Sequence, residues 1–168
     1  ILLALGLLYG AAILFEQVGG LHLPGNQQDY EPVQPVAFSH RLHAGELSVS
    51  CLYCHSGAEK SRHAGIPAAN LCMNCHKTVT ARLGVIRDEE TRAKAEGRPI
   101  RRVVSPELRK LYDSLALDEQ LQPRAGQETR SIEWLRVHNL PAHAFFDHRS
   151  HLSAGLDCRA CHGPVENM

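Results

Sequence analysis

Three short stretches decide how this chain folds: Cys51-Leu52-Tyr53-Cys54-His55, Cys72-Met73-Asn74-Cys75-His76 and Cys158-Arg159-Ala160-Cys161-His162. Each reads C-x-x-C-H, the attachment signature of c-type haem. Two residues between the cysteines let one turn of backbone offer both thiols to the two vinyl groups of one porphyrin. The histidine that follows is held beneath the ring, where its imidazole takes one axial position on the iron. All six cysteines of the 168-residue chain lie in these motifs, and a histidine follows the second cysteine every time. A zinc half-site or a dithiol needs only C-x-x-C and leaves three histidines unexplained. Structural disulfides leave them unexplained as well. The expected haem attachment sites are therefore Cys51, Cys54, Cys72, Cys75, Cys158 and Cys161, and the expected proximal iron ligands are His55, His76 and His162.

The other histidines carry a second pattern. Phe38-Ser39-His40-Arg41-Leu42-His43 precedes the first motif, and Phe146-Asp147-His148-Arg149-Ser150-His151 precedes the third. Both read F-x-H-R-x-H, a short spacer, then C-x-x-C-H, so a haem-binding unit repeats within the chain. Histidines at i and i+3 of a helical turn share nearly one face, one turn apart, and can reach two different irons. His40, His43, His148 and His151 are thus expected distal ligands. His63, nine residues before Cys72, and His138, in the apolar setting Trp134-Leu135-Arg136-Val137-His138, complete that set. His22 and His143 lack a comparable setting and read as ordinary loop residues.

Composition agrees with a cofactor-filled interior. Aromatic side chains make up only 5% of the sequence, which is thin for a core of this length, while histidines number eleven. Lys plus Arg balance Asp plus Glu at 18 each, without the basic excess of a nucleic-acid binder. Residues 1–15, ILLALGLLYGAAILF, carry no charge. As a helix they would span about 22 Å, short of the roughly 30 Å hydrocarbon thickness. Because the first residue is Ile and not Met, the expectation is a transmembrane anchor over 1–18 whose upstream end lies outside the sequence. A secretory signal peptide is the rival, but no Ala-x-Ala cleavage site follows.

An extended linker is expected over 19–35, then a first haem unit with two haems over 36–76. Only 16 residues separate His55 from Cys72, so those haems must be close neighbours. A charged, partly helical insertion follows over 77–135. Ser105 and Pro106 start a helix there, with Leu108, Leu111, Tyr112 and Leu115 at i, i+3, i+4 and i+7. That narrow stripe suits docking on a haem edge or another subunit. Val85 to Glu96 forms a further helix, stopped by Gly97 and Pro99. The second haem unit occupies 136–168. Strands are hardly signalled, so the expected fold is mainly α with much irregular structure, the haems forming the core, plus one N-terminal transmembrane helix.

Residues 36–79 and 132–168, which hold the motifs and both F-x-H-R-x-H units, resemble the multihaem cytochrome c7-related family. With the anchor, they look most like the pentahaem cytochrome c subunit of bacterial alternative complex III. The resemblance covers roughly two-thirds of the chain; the charged insertion matches loosely. It implies bis-His haem c and a longer native polypeptide with about five haem motifs, where this sequence has three. It further implies a place on the periplasmic face of the cytoplasmic membrane, with electrons passing from menaquinol oxidation toward a cytochrome c acceptor. The implied partners are integral-membrane quinol-binding subunits, an iron–sulfur subunit and a smaller cytochrome c; nucleic acid is not among them.

Such a chain would be an electron-transfer subunit without catalytic residues of its own, because spare histidines close both axial positions on every iron. A multihaem reductase is the second reading, and it needs one open iron. A quinol-dehydrogenase donor to another periplasmic reductase is the third.

Overall fold

The computed structural model describes residues 2–19, 30–137, 140 and 143–168. Seven α-helices run through the described residues: α1 (Leu2–Gly19), α2 (Cys51–Cys54), α3 (Ala69–His76), α4 (Leu83–Ala95), α5 (Pro106–Ser114), α6 (His148–Ser153) and α7 (Arg159–His162). Three tighter or wider helical turns, Arg41–Glu46, Ser56–Glu59 and Val165–Asn167, complete the set. Among the described residues, the one β feature is an isolated bridge between Leu117 and Pro123. The fold is mainly helical with long irregular connections, as the scarcity of strand signals implies. It divides into two compact units, Ile1–Pro32 with Leu135–Phe145 and Val33–Trp134 with Phe146–Met168.

The first of these units holds α1. Its uninterrupted apolar run makes it helical throughout, and its large side chains lie open: Leu3, Leu7, Tyr9, Leu14 and Phe15 are all exposed. Glu16 ends the uncharged run. Among the described residues no helix is long and apolar enough to cross a membrane. Most of the expected linker (20–29), together with His22 and His138, lies outside the described residues.

In the other unit the apolar core is small. Val104, Leu111 and Tyr112 form its centre, with Ala69, Cys72, Met73, Leu108, Leu117, Leu121 and Ile132 packed around it. The helix expected after Ser105 is α5. The Ser105 hydroxyl accepts the Leu108 N–H at 3.4 Å and Pro106 takes the first helical position, where its missing N–H costs nothing. Its apolar stripe does not face outward to a partner. Leu111 and Tyr112 bury it against α3, the helix that carries the second C-x-x-C-H motif. The insertion is a buttress for that motif.

α4 begins at Leu83, two residues before the expected start, and ends where the sequence says it should. Gly97 takes a φ of +64°, a left-handed conformation that glycine adopts without strain. The following Arg98 N–H then reaches Ala93 O at 3.0 Å and Gly97 N–H reaches Lys94 O at 3.3 Å, the paired bonds of a Schellman close. This turn swings the Arg98 side chain back onto Glu89, whose carboxylate is buried at 6% exposure. Arg98 donates to it at 2.5 and 3.1 Å, and the Arg101 N–H at 3.0 Å.

Those bonds, the Arg98 side chain first and the Arg101 N–H second, hold the Glu89 carboxyl down to about 2 from an ordinary 4.5. A depressed carboxyl stabilises the fold above its unfolded value and loses that contribution as pH falls through its folded value. Glu89→Gln should therefore lower the melting temperature at neutral pH, and its difference from wild type should shrink between pH 4.5 and about 2. Thermal melts followed by circular dichroism across that window check it; a difference independent of pH would assign Glu89 a packing role only.

Candidate haem sites

Each F-x-H-R-x-H unit is built around its phenylalanine. Phe38 stacks on His43 with ring centres 4.5 Å apart and planes at 22°, and meets His40 edge-on at 5.0 Å and 82°. Phe146 repeats this with His151 at 4.5 Å and 26° and His148 at 4.8 Å and 88°. One apolar ring thereby fixes two imidazoles in a set mutual angle. The copies differ in backbone: Arg41–Glu46 is a widened π-type turn and His148–Ser153 is an α-turn.

The residue between Phe and His has a task that sequence reading missed. The Ser39 carbonyl accepts from His43 Nδ1 at 2.9 Å, and the Asp147 carbonyl accepts from His151 Nδ1 at 2.8 Å. Their side chains cap the turns, Ser39 Oγ accepting the Leu42 N–H and Asp147 Oδ1 the Arg149 N–H. Bonds from the Arg149 side chain, more than any other cause, hold the Asp147 carboxyl below the usual range. Ser and Asp are the preferred capping residues, and that preference was the available signal.

Three further imidazoles are anchored the same way. His55 Nδ1 lies 2.6 Å from Gly65 O, His76 Nδ1 2.8 Å from Val79 O, and His148 Nδ1 2.8 Å from Arg62 O. A carbonyl only accepts, so each Nδ1 carries the proton and each Nε2 presents a lone pair. A ligating imidazole is normally held by its second nitrogen in this manner. The loop that serves His55 is pressed close: a Cβ on Gly57 would come within 2.5 Å of Ala64 O and 2.7 Å of His63 O. The loops of the first two motifs are also tied directly, Asn74 Nδ2 donating to Tyr53 Oη at 2.9 Å.

The motif histidines face the repeat histidines in three pairs. Ring centres are 6.4 Å apart for His40 and His55, 6.0 Å for His43 and His76, and 6.4 Å for His148 and His162. Two imidazoles on opposite sides of one metal, each bonded at about 2.0 Å through a nitrogen roughly 1.1 Å from its ring centre, put those centres about 6.2 Å apart. The planes are nearly parallel in the first pair (16°) and the third (4°), and steeply inclined at 64° in the second. Burial, and then the neighbouring His55 and His43, push His40 below the ordinary imidazole range, which favours the neutral, ligating form.

The cysteines form no disulfides with one another. Burial first, with neighbouring thiols second, raises Cys54, Cys72 and Cys158 above the usual thiol range. Among the described residues no three His, Cys, Asp or Glu side chains converge to hold a bare metal ion. The donor set, two thiols beside one imidazole with a second imidazole about 6 Å away, suits c-type haem and not zinc.

His63 lies exposed in the loop after α2, where its N–H bonds Ser61 Oγ, and its ring faces no other histidine among the described residues. His151, held like His43, likewise faces none.

Comparison with known proteins bears on the same residues. Residues 36–97 match the family described as cytochrome c7 and related cytochrome c. Over 129 residues, 77% of its length, the chain is 30% identical to the multiheme cytochrome c subunit of menaquinone reductase from Nitratidesulfovibrio vulgaris strain Hildenborough. It spans 45% of that relative's length. The segment 36–97, which carries the first two motifs and the first F-x-H-R-x-H unit, is thus similar to cytochrome c7 and related cytochrome c.

Proposed function

We propose that this chain is a membrane-anchored electron-transfer subunit in which every haem iron has two imidazole ligands. The carrying observation is the set of three histidine pairs separated by 6.0 to 6.4 Å. In this reading Cys51/Cys54, Cys72/Cys75 and Cys158/Cys161 tether one haem c each, and His55, His76 and His162 bind from one side. His40, His43 and His148 bind from the other. The haems supply a one-electron ferric/ferrous couple. The chain's residues do the rest: carbonyls fix the imidazoles through Nδ1, Phe38 and Phe146 hold the rings, and closed axial positions keep other ligands off the iron.

The small apolar core agrees with haems filling much of the interior. α1 presents apolar side chains all round, the pattern of a lipid-facing helix. We place it in the cytoplasmic membrane with the haem units on the outer, periplasmic face. Quinone-linked partners are the natural setting, since the relative's name describes a menaquinone reductase subunit. Our first choice is an alternative complex III-type assembly, with electrons running from menaquinol toward a cytochrome c. The relative's name supports a second direction, in which the haems deliver electrons to menaquinone.

Membranes carrying the full protein separate these readings. Anaerobic addition of a menaquinol analogue should reduce low-spin haem, and the reduced haems should bind carbon monoxide slowly or not at all. Reduced haems that are instead reoxidised by menaquinone, and not reduced by menaquinol, establish the second direction. Rapid carbon monoxide binding or dominant high-spin haem overturns the electron-carrier reading in favour of a reductase with an open iron. Release of the protein by a salt wash overturns the anchor.

A further inference from the structure

We propose that Tyr112 and Arg102, both in the charged insertion, are positioning residues for His76 and set the redox behaviour of the haem attached at Cys72 and Cys75. The proposal rests on the haem reading above. It starts from an elementary need: the last carbonyls of a helix have no intrahelical donors. In α3 those carbonyls belong to the C-x-x-C-H motif itself. Cys75 O is met locally by the N–H groups of Thr78 and Val79 and by the Thr78 hydroxyl. His76 O and Lys77 O are met from far along the chain. Tyr112 Oη donates to His76 O at 2.6 Å, and Arg102 Nη2 donates to Lys77 O at 2.6 Å. Arg102 Nη2 also reaches Tyr112 Oη at 3.5 Å, which links the two.

The network is placed to act on the ligand. Tyr112 is only 1% exposed, so its bond to His76 is shielded from water and fixed by the core around Val104 and Leu111. Locally, the His76 ring is held by Val79 O alone. Moving the His76 carbonyl therefore turns the backbone from which the imidazole hangs. Arg102 adds a permanent positive charge beside the motif. A nearby cation disfavours the ferric state, which carries one more positive charge than the ferrous, and so raises the reduction potential.

The test is a potentiometric titration of the full holoprotein followed by electron paramagnetic resonance. The inclined His43–His76 pair should give a signal of larger anisotropy than the two near-parallel pairs, which identifies its haem. Arg102→Gln should lower the midpoint of that haem more than those of the other haems, and Arg102→Lys should largely restore it. Tyr112→Phe should shift that signal's largest g value and leave the other signals in place. Midpoints that all move together, or none that moves, overturn the proposal. Arg102 is on the surface, so its variants decide the matter even where Tyr112→Phe fails to fold. Pyridine haemochrome counting keeps the two levels apart: fewer than three haems in the wild type defeats the haem reading, whereas three or more haems with unmoved midpoints defeats only this proposal.

Discussion

Replacing His148 by Ala should convert one haem from low to high spin without loss of any attached haem. Attachment depends on thioether bonds from cysteine, and ligation from the far side depends on the imidazole that faces His162 at 6.4 Å. The same substitution at His40 or His43 should do likewise, each through a different haem. The three are distinguishable by the ligand planes. His43→Ala should remove the signal of large anisotropy, since its pair is inclined at 64°, and His40→Ala and His148→Ala should each remove a more rhombic one. Each effect is all-or-none for one haem, and in the reduced protein rapid carbon monoxide binding should appear at that haem alone.

His151→Ala and His63→Ala supply the contrast. Neither ring faces another histidine among the described residues, so both variants should leave these three haems low-spin. A high-spin signal from His151→Ala would assign that residue to a haem outside the three pairs. Low-spin spectra for all of His40→Ala, His43→Ala and His148→Ala would instead dissolve the pairing itself.

Much of this site was legible before the structure, for a physical reason. Haem attachment is a local event, so the C-x-x-C-H spacing and the i, i+3 histidines are written in a few consecutive residues. The repeat F-x-H-R-x-H was visible as a pattern, but its phenylalanine and its Ser39 or Asp147 gained a meaning only from ring angles and carbonyl bonds. Which histidine faces which motif was not legible. That pairing depends on how each turn is seated against its motif, as when the distant Arg62 carbonyl holds His148. The amphipathic stripe of α5 was read correctly as apolar, but the expected docking on another subunit gives way to burial within the chain. Periodicity shows that a helix buries one side and cannot show against what; here it is the companion helix α3.

That burial makes the motifs unequal, and the inequality has a measurable consequence. Cys72→Ala with Cys75→Ala should cost one haem, and so should Cys158→Ala with Cys161→Ala. The losses of stability should differ. Cys72 packs against the Val104–Leu111–Tyr112 core, so removing its sulfur forfeits about 1 kcal/mol of apolar burial, roughly 2–4 °C in melting temperature for a chain of this size. The larger part comes from α3. Without the tether, His76 loses its iron, and the helix end whose carbonyls receive Tyr112 and Arg102 is no longer fixed. The insertion should loosen with it. α7, by contrast, is a four-residue helix with no buried residue, and the core does not rest on it. Melting of the two double variants by circular dichroism, each shown by mass to carry one haem fewer, should find the first markedly less stable. Equal destabilisation would mean that haem contacts outweigh the insertion, and that α5 is a passenger on α3 and not its support.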